Sequence, residues 1–237
     1  MDKKSFWIGG RHAVEAALNN KNREVVKLIS LHEIKLSSKK IEIQIENKKF
    51  FNKIFQDKDL AHQGIAALIR PLKECLLEDE IKNNNLKNLI ALDGITDTRN
   101  IGSIIRNAVA FNIDGIIANK KELNKESPAM YKAASGAMEN IKIFSVSNIT
   151  HYIRLLKKND FWIIGFDSVS KKNFEDFKWF NKNLLIFGSE NNGIGRNLLN
   201  NCDEVLKINI SNKIESLNVS CATSAVLCNF NSNRSLD

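Results

Sequence analysis

Four polar side chains follow apolar segments of the chain, where parallel α/β proteins bind their ligands. Asn100 and Arg106 follow the run LIALDGI, Glu190 follows LLIFG, and Asn218 follows EVLKINI. Ligands of such sheets bind beyond the carboxyl ends of the strands, and amide, guanidinium and carboxylate groups there hold polar or anionic molecules. These residues therefore indicate a binding or catalytic site at one edge of a sheet.

The first loop, LDGITDTRNIGSIIRNA, leads into a predicted helix that begins near Asn100. Asn100 is a suitable N-cap, and Gly102 leaves room for a ligand near the helix start, where free N–H groups favour anions. Arg106 lies off the apolar stripe that packs this helix on the sheet, which consists of Ile101, Ile104, Ile105 and Ala108. Taken alone, the loop also fits a structural cap with a solvated charge.

The second loop, FGSENNGIGRNLL, contains three glycines that permit backbone conformations other residues resist: Gly188, Gly193 and Gly195. No Gly-Lys-Ser/Thr follows, and the pattern is not G-x-G-x-x-G after a first strand. An ATP site and an NAD site are therefore both weakly supported.

The third loop leads into a final helix of mostly small or apolar residues, with Ser216 and Asn218 as candidate caps. One predicted face contains Val219, Ala222, Val226 and Phe230. Little polar surface is left elsewhere by Cys221, Ala225 and Cys228. We expect such a helix to pack against another helix or another subunit, which suggests a homodimer.

The elements that must position these loops follow from hydrophobic periodicity. From Asn88 onward, short apolar runs alternate with helical patterns, which predicts a mostly parallel α/β sheet. The region before it predicts a smaller α/β domain, with helices at 11–19 and 48–56 and strands at 25–31, 41–45 and 64–70. A polar stretch with an Asn run separates the two regions. The expected organisation is a first domain at 1–75, a linker at 76–87 and a second domain at 88–237.

The composition of the chain limits the kinds of partner, metal and cellular compartment that we expect. The chain has 237 residues and a formal charge of +8 at pH 7, which favours a polyanionic partner such as nucleic acid. Its four cysteines form no C-x-x-C pair and have no histidine at metal-ligand spacing, so we expect reduced cysteines and no metal. No apolar run is long enough for a membrane span, and the start does not resemble a signal peptide. A cytoplasmic protein is expected.

Taken together, the three loops resemble the three motifs of the SpoU/TrmH family of RNA ribose methyltransferases, in the SPOUT superfamily. NIGSIIR is similar to the N-x-G-x-x-x-R first motif, FGSENNGI to the G-x-E-x-x-G second motif, and SLNVSCATS to the S-L-N-V-S-x-A third motif. IGGRHAVEAAL and HQGIAALIRPL resemble the two ends of the substrate domain of bacterial 23S rRNA guanosine-2′-O-methyltransferases in this family. The resemblance covers nearly the whole chain.

The resemblance implies a C-terminal α/β methyltransferase domain with a deep trefoil knot and a small N-terminal domain like ribosomal protein L30e. It further implies transfer of a methyl group from S-adenosylmethionine to a ribose 2′-hydroxyl, of guanosine in 23S rRNA. The residues it assigns to cofactor contact are Gly188, Ile208 and Leu217. Those it assigns to the catalytic region are Asn100, Arg106, Glu190, Ser216 and Asn218.

Basic residues of the first region, Arg11, Arg23 and Lys27, are expected to contact RNA phosphates. Three alternatives stay open. A tRNA guanosine-2′-O-methyltransferase would share all three motifs, a ribosome-assembly protein could bind RNA without catalysis, and an NAD-dependent oxidoreductase would need the glycine fingerprint that the first strand lacks.

Overall fold

A computed structural model of the chain describes residues 5–36, 41–55, 57 and 60–234. They divide into two compact units. The first comprises the described residues of 1–73 together with 98–106 and 124–140, and the second comprises 74–97, 107–123 and those described in 141–237. Two segments beyond the predicted linker thus group with the N-terminal region. The predicted domain boundaries themselves stay a prediction.

Strands and helices alternate through most of the described chain. The strands are β1 (Phe6–Gly9), β2 (Val25–Ser30), β3 (Ile43–Ile45), β4 (Ile65–Ile69), β5 (Asn88–Asp93), β6 (Gly115–Asn119), β7 (Lys142–Val146), β8 (Trp162–Phe166), β9 (Asn183–Gly188) and β10 (Glu204–Leu206). The helices are α1 (Arg11–Asn19), α2 (Lys48–Ile54), α3 (Leu77–Lys82), α4 (Thr98–Ala110), α5 (Pro128–Ala134), α6 (Ile149–Lys157), α7 (Arg196–Leu199) and α8 (Val219–Arg234), with a 3-10 helix at Ala137–Glu139.

The first unit contains a four-stranded sheet in the order β1-β4-β2-β3. Strand β4 runs antiparallel to β1 and to β2, whereas β2 and β3 are parallel. Helix α2 contributes Phe51 to an apolar cluster with Phe55 and Ile29. The predicted helix at 11–19 is confirmed, and β1 is an additional strand that the periodicity did not predict. Its four residues are too few to show an alternating pattern.

The second unit contains a six-stranded sheet in the order β10-β8-β9-β5-β6-β7. Every pair of neighbours is parallel, which confirms the predicted parallel α/β class. Asp93 at the end of β5 pairs in register with Gly188 at the end of β9. The loops that follow these two strands therefore leave the same edge of the sheet.

Two details differ from expectation. The run EVLKINI contributes only Glu204–Leu206 to a strand, and residues 208–218 form neither helix nor strand. The predicted linker contains α3, because Leu77 and Ile81 are one helical turn apart and bury one face in the core of the second unit. A separate question is whether any helix could span a membrane. Within the part of the chain that the structure describes, none has the length and the apolar character that a membrane span needs. The trefoil knot stays a prediction.

Candidate active site

Helix α4 carries the residues of the first loop. It begins at Thr98, so Asn100 is the third residue of the helix and the prediction that it is the N-cap is wrong. Asp97, a residue type favoured at the position before a helix, directly precedes Thr98, and the helix therefore begins closer to the N-terminus than predicted. The apolar stripe is confirmed, since its four members are fully or almost fully buried. Arg106 is exposed, as its position off the stripe predicts.

Gly102 has a packing role that the sequence did not reveal. A Cβ atom at this position would collide with the carbonyl oxygen of Met130 and lie 2.8 Å from the Cβ of Ala133, both on α5. The glycine thus lets the backbones of α4 and α5 approach closely. The expectation that Gly102 makes room for a ligand is replaced by close packing of two helices.

The loop after β9 is held to the sheet edge by two aspartates. Asp93 accepts a hydrogen bond from the Gly195 N–H (2.7 Å), and Asp167 accepts one from the Ile194 N–H (3.1 Å). A Cβ atom at Gly188 would collide with the backbone of Gly193, which itself has φ of 61°. The glycines of the second motif therefore allow the loop to fold back on its own strand.

Glu190 joins the second motif to the third. Its Oε1 accepts hydrogen bonds from Asn218 Nδ2 (2.7 Å) and from the Val219 N–H (3.3 Å) at the start of α8. Asn218 Oδ1 accepts from the N–H groups of Ser220 (3.0 Å) and Cys221 (3.4 Å), which confirms Asn218 as the helix cap. A carboxylate at a helix N-terminus is also favoured by the helix dipole. The pair fixes the geometry of both loops.

The remaining site residues lie in the irregular segment 208–218. Ser216 is exposed, and Ile208 and Leu217 are half-buried. The structure thus brings Glu190 and Asn218 into contact and places Gly188 at the edge of the parallel sheet, while Asn100 and Arg106 belong to the first unit.

The basic residues expected to contact phosphates behave differently from one another. Arg11 is exposed and pairs with Glu15 (2.9 Å), and Lys27 is partly exposed, 3.6 Å from Glu46. Arg23 is buried, with its side chain 1% exposed, and the expectation that it contacts phosphate is wrong. Its guanidinium instead donates hydrogen bonds to other groups of the protein.

The two N-terminal segments that carry the resemblance meet in space. Gln63 Oε1 accepts hydrogen bonds from the Arg11 N–H (3.1 Å) and from Lys132 Nζ (2.8 Å). Burial lowers the pKa of Lys132, and burial together with the Lys132 charge lowers the pKa of His62. The spacing of neighbouring residues did not predict the contact between Lys132 and Gln63, because it spans 69 positions of the chain.

Asp167 was missed as well, although its position carried a usable signal. It directly follows β8, at the same carboxyl edge of the sheet as the loops singled out in the sequence. Within the described ranges, no group of three or more His, Cys, Asp or Glu side chains is placed to hold a metal ion.

The fold and the site define a class of protein. The structure is similar to that of the SpoU methyltransferase AviRb from Streptomyces viridochromogenes in complex with AdoMet, with a TM-score of 0.77 and 19% identity over 97% of this chain and 90% of that one. The SpoU rRNA methylase family matches residues 87–228, and the family "RNA 2'-O ribose methyltransferase substrate binding" matches residues 7–75. The chain belongs to the SpoU rRNA methylase family and is an RNA methyltransferase; S-adenosylmethionine is the methyl donor of this family.

Two curated relatives cover almost the same length. The RlmB 23S rRNA (guanosine-2′-O-)-methyltransferase of Escherichia coli is 30% identical over 94% of this chain and 96% of its own. A putative TrmH family tRNA/rRNA methyltransferase of Staphylococcus aureus is 30% identical over 93% of both chains. The similarity therefore spans both the substrate-binding and the methylase segments.

Proposed function

We propose that this protein transfers the methyl group of S-adenosylmethionine to the 2′-hydroxyl of a guanosine in 23S rRNA. The observation that carries the proposal is that similarity to RlmB, a 23S rRNA enzyme, runs through the N-terminal segment as well as the methylase segment. A tRNA enzyme would share the three motifs, and the match of residues 7–75 to a substrate-binding family, together with the full-length similarity to RlmB, favours ribosomal RNA. The net charge of +8 supports a polyanionic substrate.

The cofactor, when bound, supplies an electrophilic methyl group on a sulfonium sulfur. Gly188, Ile208 and Leu217 would hold it, Gly188 through its backbone and the other two through apolar packing. The hydrogen-bonded pair of Glu190 and Asn218 keeps the second and third motifs in a fixed arrangement before any ligand arrives. Preorganisation of this kind avoids the cost of ordering the loops on binding.

Arg106 and Asn100 would act on the RNA. A guanidinium stays protonated at physiological pH, so Arg106 cannot serve as the general base. It would instead grip a phosphate next to the target ribose and stabilise the negative charge that develops on the 2′-oxygen, while the proton leaves to water. Asn100 and Ser216 would orient the ribose through hydrogen bonds.

The proposal includes a cytoplasmic homodimer. Helix α8 buries Val219, Val226 and Phe230 within the second unit. Its opposite side exposes Cys221, Ala225 and Cys228, which share one face and lack charge. A second copy of the chain would cover this face.

The decisive experiment measures transfer of labelled methyl groups from S-adenosylmethionine by the purified protein to 23S rRNA, to assembled large ribosomal subunits and to bulk tRNA. Nuclease digestion and nucleoside analysis then identify the product. We expect label in 2′-O-methylguanosine from rRNA or from the subunits. Label confined to tRNA would show that the protein is instead a tRNA methyltransferase. Tight cofactor binding without label in any RNA would support a non-catalytic role in ribosome assembly.

A further inference from the structure

Arg23 makes an unusual set of contacts for a surface-loop position between α1 and β2. Its Nε donates to Glu139 Oε2 (3.0 Å) and its Nη2 to Glu139 Oε1 (2.8 Å), which is a two-pronged pairing of guanidinium and carboxylate. Its Nη1 donates to the Arg70 carbonyl (2.7 Å), and Nη2 also reaches the Tyr131 hydroxyl (3.1 Å). The side chains of the ion pair are 1% and 2% exposed.

The Glu139 carboxylate also accepts a hydrogen bond from a residue other than Arg23. Asn20 Nδ2 donates to Glu139 Oε2 at 2.7 Å, so each carboxylate oxygen has hydrogen-bond donors. The ring of Tyr131 lies 5.5 Å from that of Phe6 on β1, and burial raises the pKa of the Tyr131 phenol to about 12. The phenol therefore stays neutral across the physiological range, and its oxygen accepts the hydrogen bond from Arg23 Nη2.

The network joins two parts of the sequence that belong to different family segments. Asn20, Arg23 and Arg70 lie in the substrate-binding segment 7–75, and Tyr131 and Glu139 lie in the methylase segment 87–228. All five nevertheless belong to the same compact unit. A buried ion pair is seldom retained for stability alone, because desolvation offsets most of its attraction, whereas its directional hydrogen bonds define one relative placement of the elements that carry it.

Helix α5 also contacts the helix that carries the first motif. Gly102 of α4 packs so closely against the Met130 carbonyl that even a Cβ atom at this position would collide with it. Asn100 and Arg106 stand on either side of this glycine in the chain and in the same compact unit as the four-stranded sheet. A continuous series of packed groups therefore runs from β1 and the Arg23 loop, through α5, to the first motif.

We infer that α5 and the 3-10 helix after it are a coupling element, and that Arg23 and Glu139 are positioning residues which hold the RNA-binding sheet in register with Asn100 and Arg106. The inference rests on the proposed function, because that function makes the four-stranded sheet an RNA-binding surface and places Asn100 and Arg106 in the catalytic region. RNA held by the sheet would then meet Arg106 in a fixed geometry, and a misplacement of about 1 Å costs about a hundredfold in rate.

The test compares Glu139→Gln with a matched control, Glu24→Gln, which removes an exposed carboxylate that pairs with Arg70 (3.2 Å) in the same loop region. A second variant, Arg23→Met with Glu139→Leu, replaces the pair by apolar side chains and keeps the unit folded if the single substitution does not. Amide hydrogen exchange is followed at residues 98–106 and 128–134, with β9 as an internal reference. Steady-state methylation of rRNA is measured per active site, counted by S-adenosylhomocysteine binding.

In the folded variants we expect exchange at 98–106 and 128–134 to accelerate about tenfold, with β9 unchanged. We expect kcat/KM for RNA, per active site, to fall about tenfold while the KM for S-adenosylmethionine stays constant. The control should match the wild type in both readouts. Faster exchange confined to residues 20–24, or wild-type exchange in the double variant, would overturn the coupling.

A merely structural role would reduce the number of active sites and leave kcat and KM per site unchanged, which would also overturn the inference. A wild-type protein that methylates none of the RNAs would refute the proposed function instead. The exchange measurement would still decide the coupling in that case, because it needs no activity.

Discussion

The guanidinium groups of Arg23 and Arg106 carry the same charge in opposite surroundings. Arg23 is buried and bonded to Glu139, whereas Arg106 is exposed on α4 and has no hydrogen bond or ion pair within the described part of the chain. A buried and paired guanidinium defines geometry, and an exposed one is free to bind an anion. At the residue scale, burial decides which of the two arginines belongs to the architecture and which to the proposed chemistry.

Substitution of Arg106 by alanine should remove the charge that the proposed reaction needs. We expect kcat for RNA methylation to fall at least about a hundredfold. Cofactor affinity should remain within about twofold of the wild type, since the assigned cofactor residues lie in other loops. Labelled methyl transfer and calorimetry with S-adenosylhomocysteine measure the two quantities. Arg154→Ala, at an exposed arginine of α6, is the control, and undiminished activity in Arg106→Ala would remove the residue from the catalytic set.

Helices in this molecule are positioned by close backbone approach and by single polar ties. Gly102 admits the backbone of α5 against α4, and Tyr152 on α6 donates a hydrogen bond to Glu78 on α3 at 2.6 Å. Leu77 and Ile81 pack the other side of α3 into the core. At the element scale, small residues and specific hydrogen bonds place helices that hydrophobic patterns only identify.

Replacement of Gly102 by alanine should destabilise the protein, contrary to the usual effect of this change in a helix. Alanine is ordinarily favoured over glycine by about 1 kcal/mol, but a Cβ atom here collides with the Met130 carbonyl, and overpacking costs about 1–3 kcal/mol. Urea titration should therefore give a lower free energy of unfolding for Gly102→Ala than for the wild type. Ser103→Ala, at the next position of the same helix, should be neutral or slightly stabilising. A gain in stability for Gly102→Ala would contradict the packing described.

The tie between α3 and α6 predicts a pH-dependent stability. The hydrogen bond from Tyr152 lowers the pKa of Glu78, so the stabilisation is present when Glu78 is ionised and is lost as the pH falls through the lowered pKa. Tyr152→Phe should reduce the free energy of unfolding by about 1 kcal/mol at pH 7. The difference from wild type should shrink as the pH falls below 4.5, the ordinary value for this carboxyl group.

Urea titrations at a series of pH values test this expectation. Glu78→Gln keeps a hydrogen-bond acceptor without a titrating group, so its difference from the wild type should also disappear at low pH. A Tyr152→Phe difference that stays constant with pH would show that the tyrosine acts through packing alone.

At the scale of the whole molecule, the exposed face of α8 and the net positive charge concern contacts beyond one chain. The small residues Cys221, Ala225 and Cys228 form an uncharged exposed strip on a helix whose other side is buried. The charge of +8 favours association with RNA and keeps copies of the chain apart elsewhere. A face of low charge is therefore the suitable place for self-association.

Ala225→Arg should convert the proposed dimer to a monomer, because a long cation cannot be buried between two copies of an apolar face without a partner. Sedimentation equilibrium measures the mass in solution, and circular dichroism checks that the fold is kept. Asn233→Arg, elsewhere on the exposed surface of the same helix, should leave the mass unchanged. A wild-type protein that is already monomeric would refute the dimer.

The sequence by itself determined the features that depend on local pattern. The buried stripe of α4, the apolar strands of the parallel sheet and the cap at Asn218 were all readable because each is set by residues within one or two turns. The three motifs also indicated the SpoU rRNA methylase family, to which the chain belongs. Strand ends were less exact, since β10 stops after three residues of a longer apolar run.

Tertiary structure alone decided the roles that depend on distant partners. Arg23 looked like a phosphate ligand until Glu139, 116 positions away, was seen to hold it, and Gly102 looked like space for a ligand until Met130 was seen to fill it. Helix α3 forms in a polar stretch because the core of the second unit receives Leu77 and Ile81. Burial and close approach arise from long-range packing, and neither is encoded in the spacing of neighbouring residues.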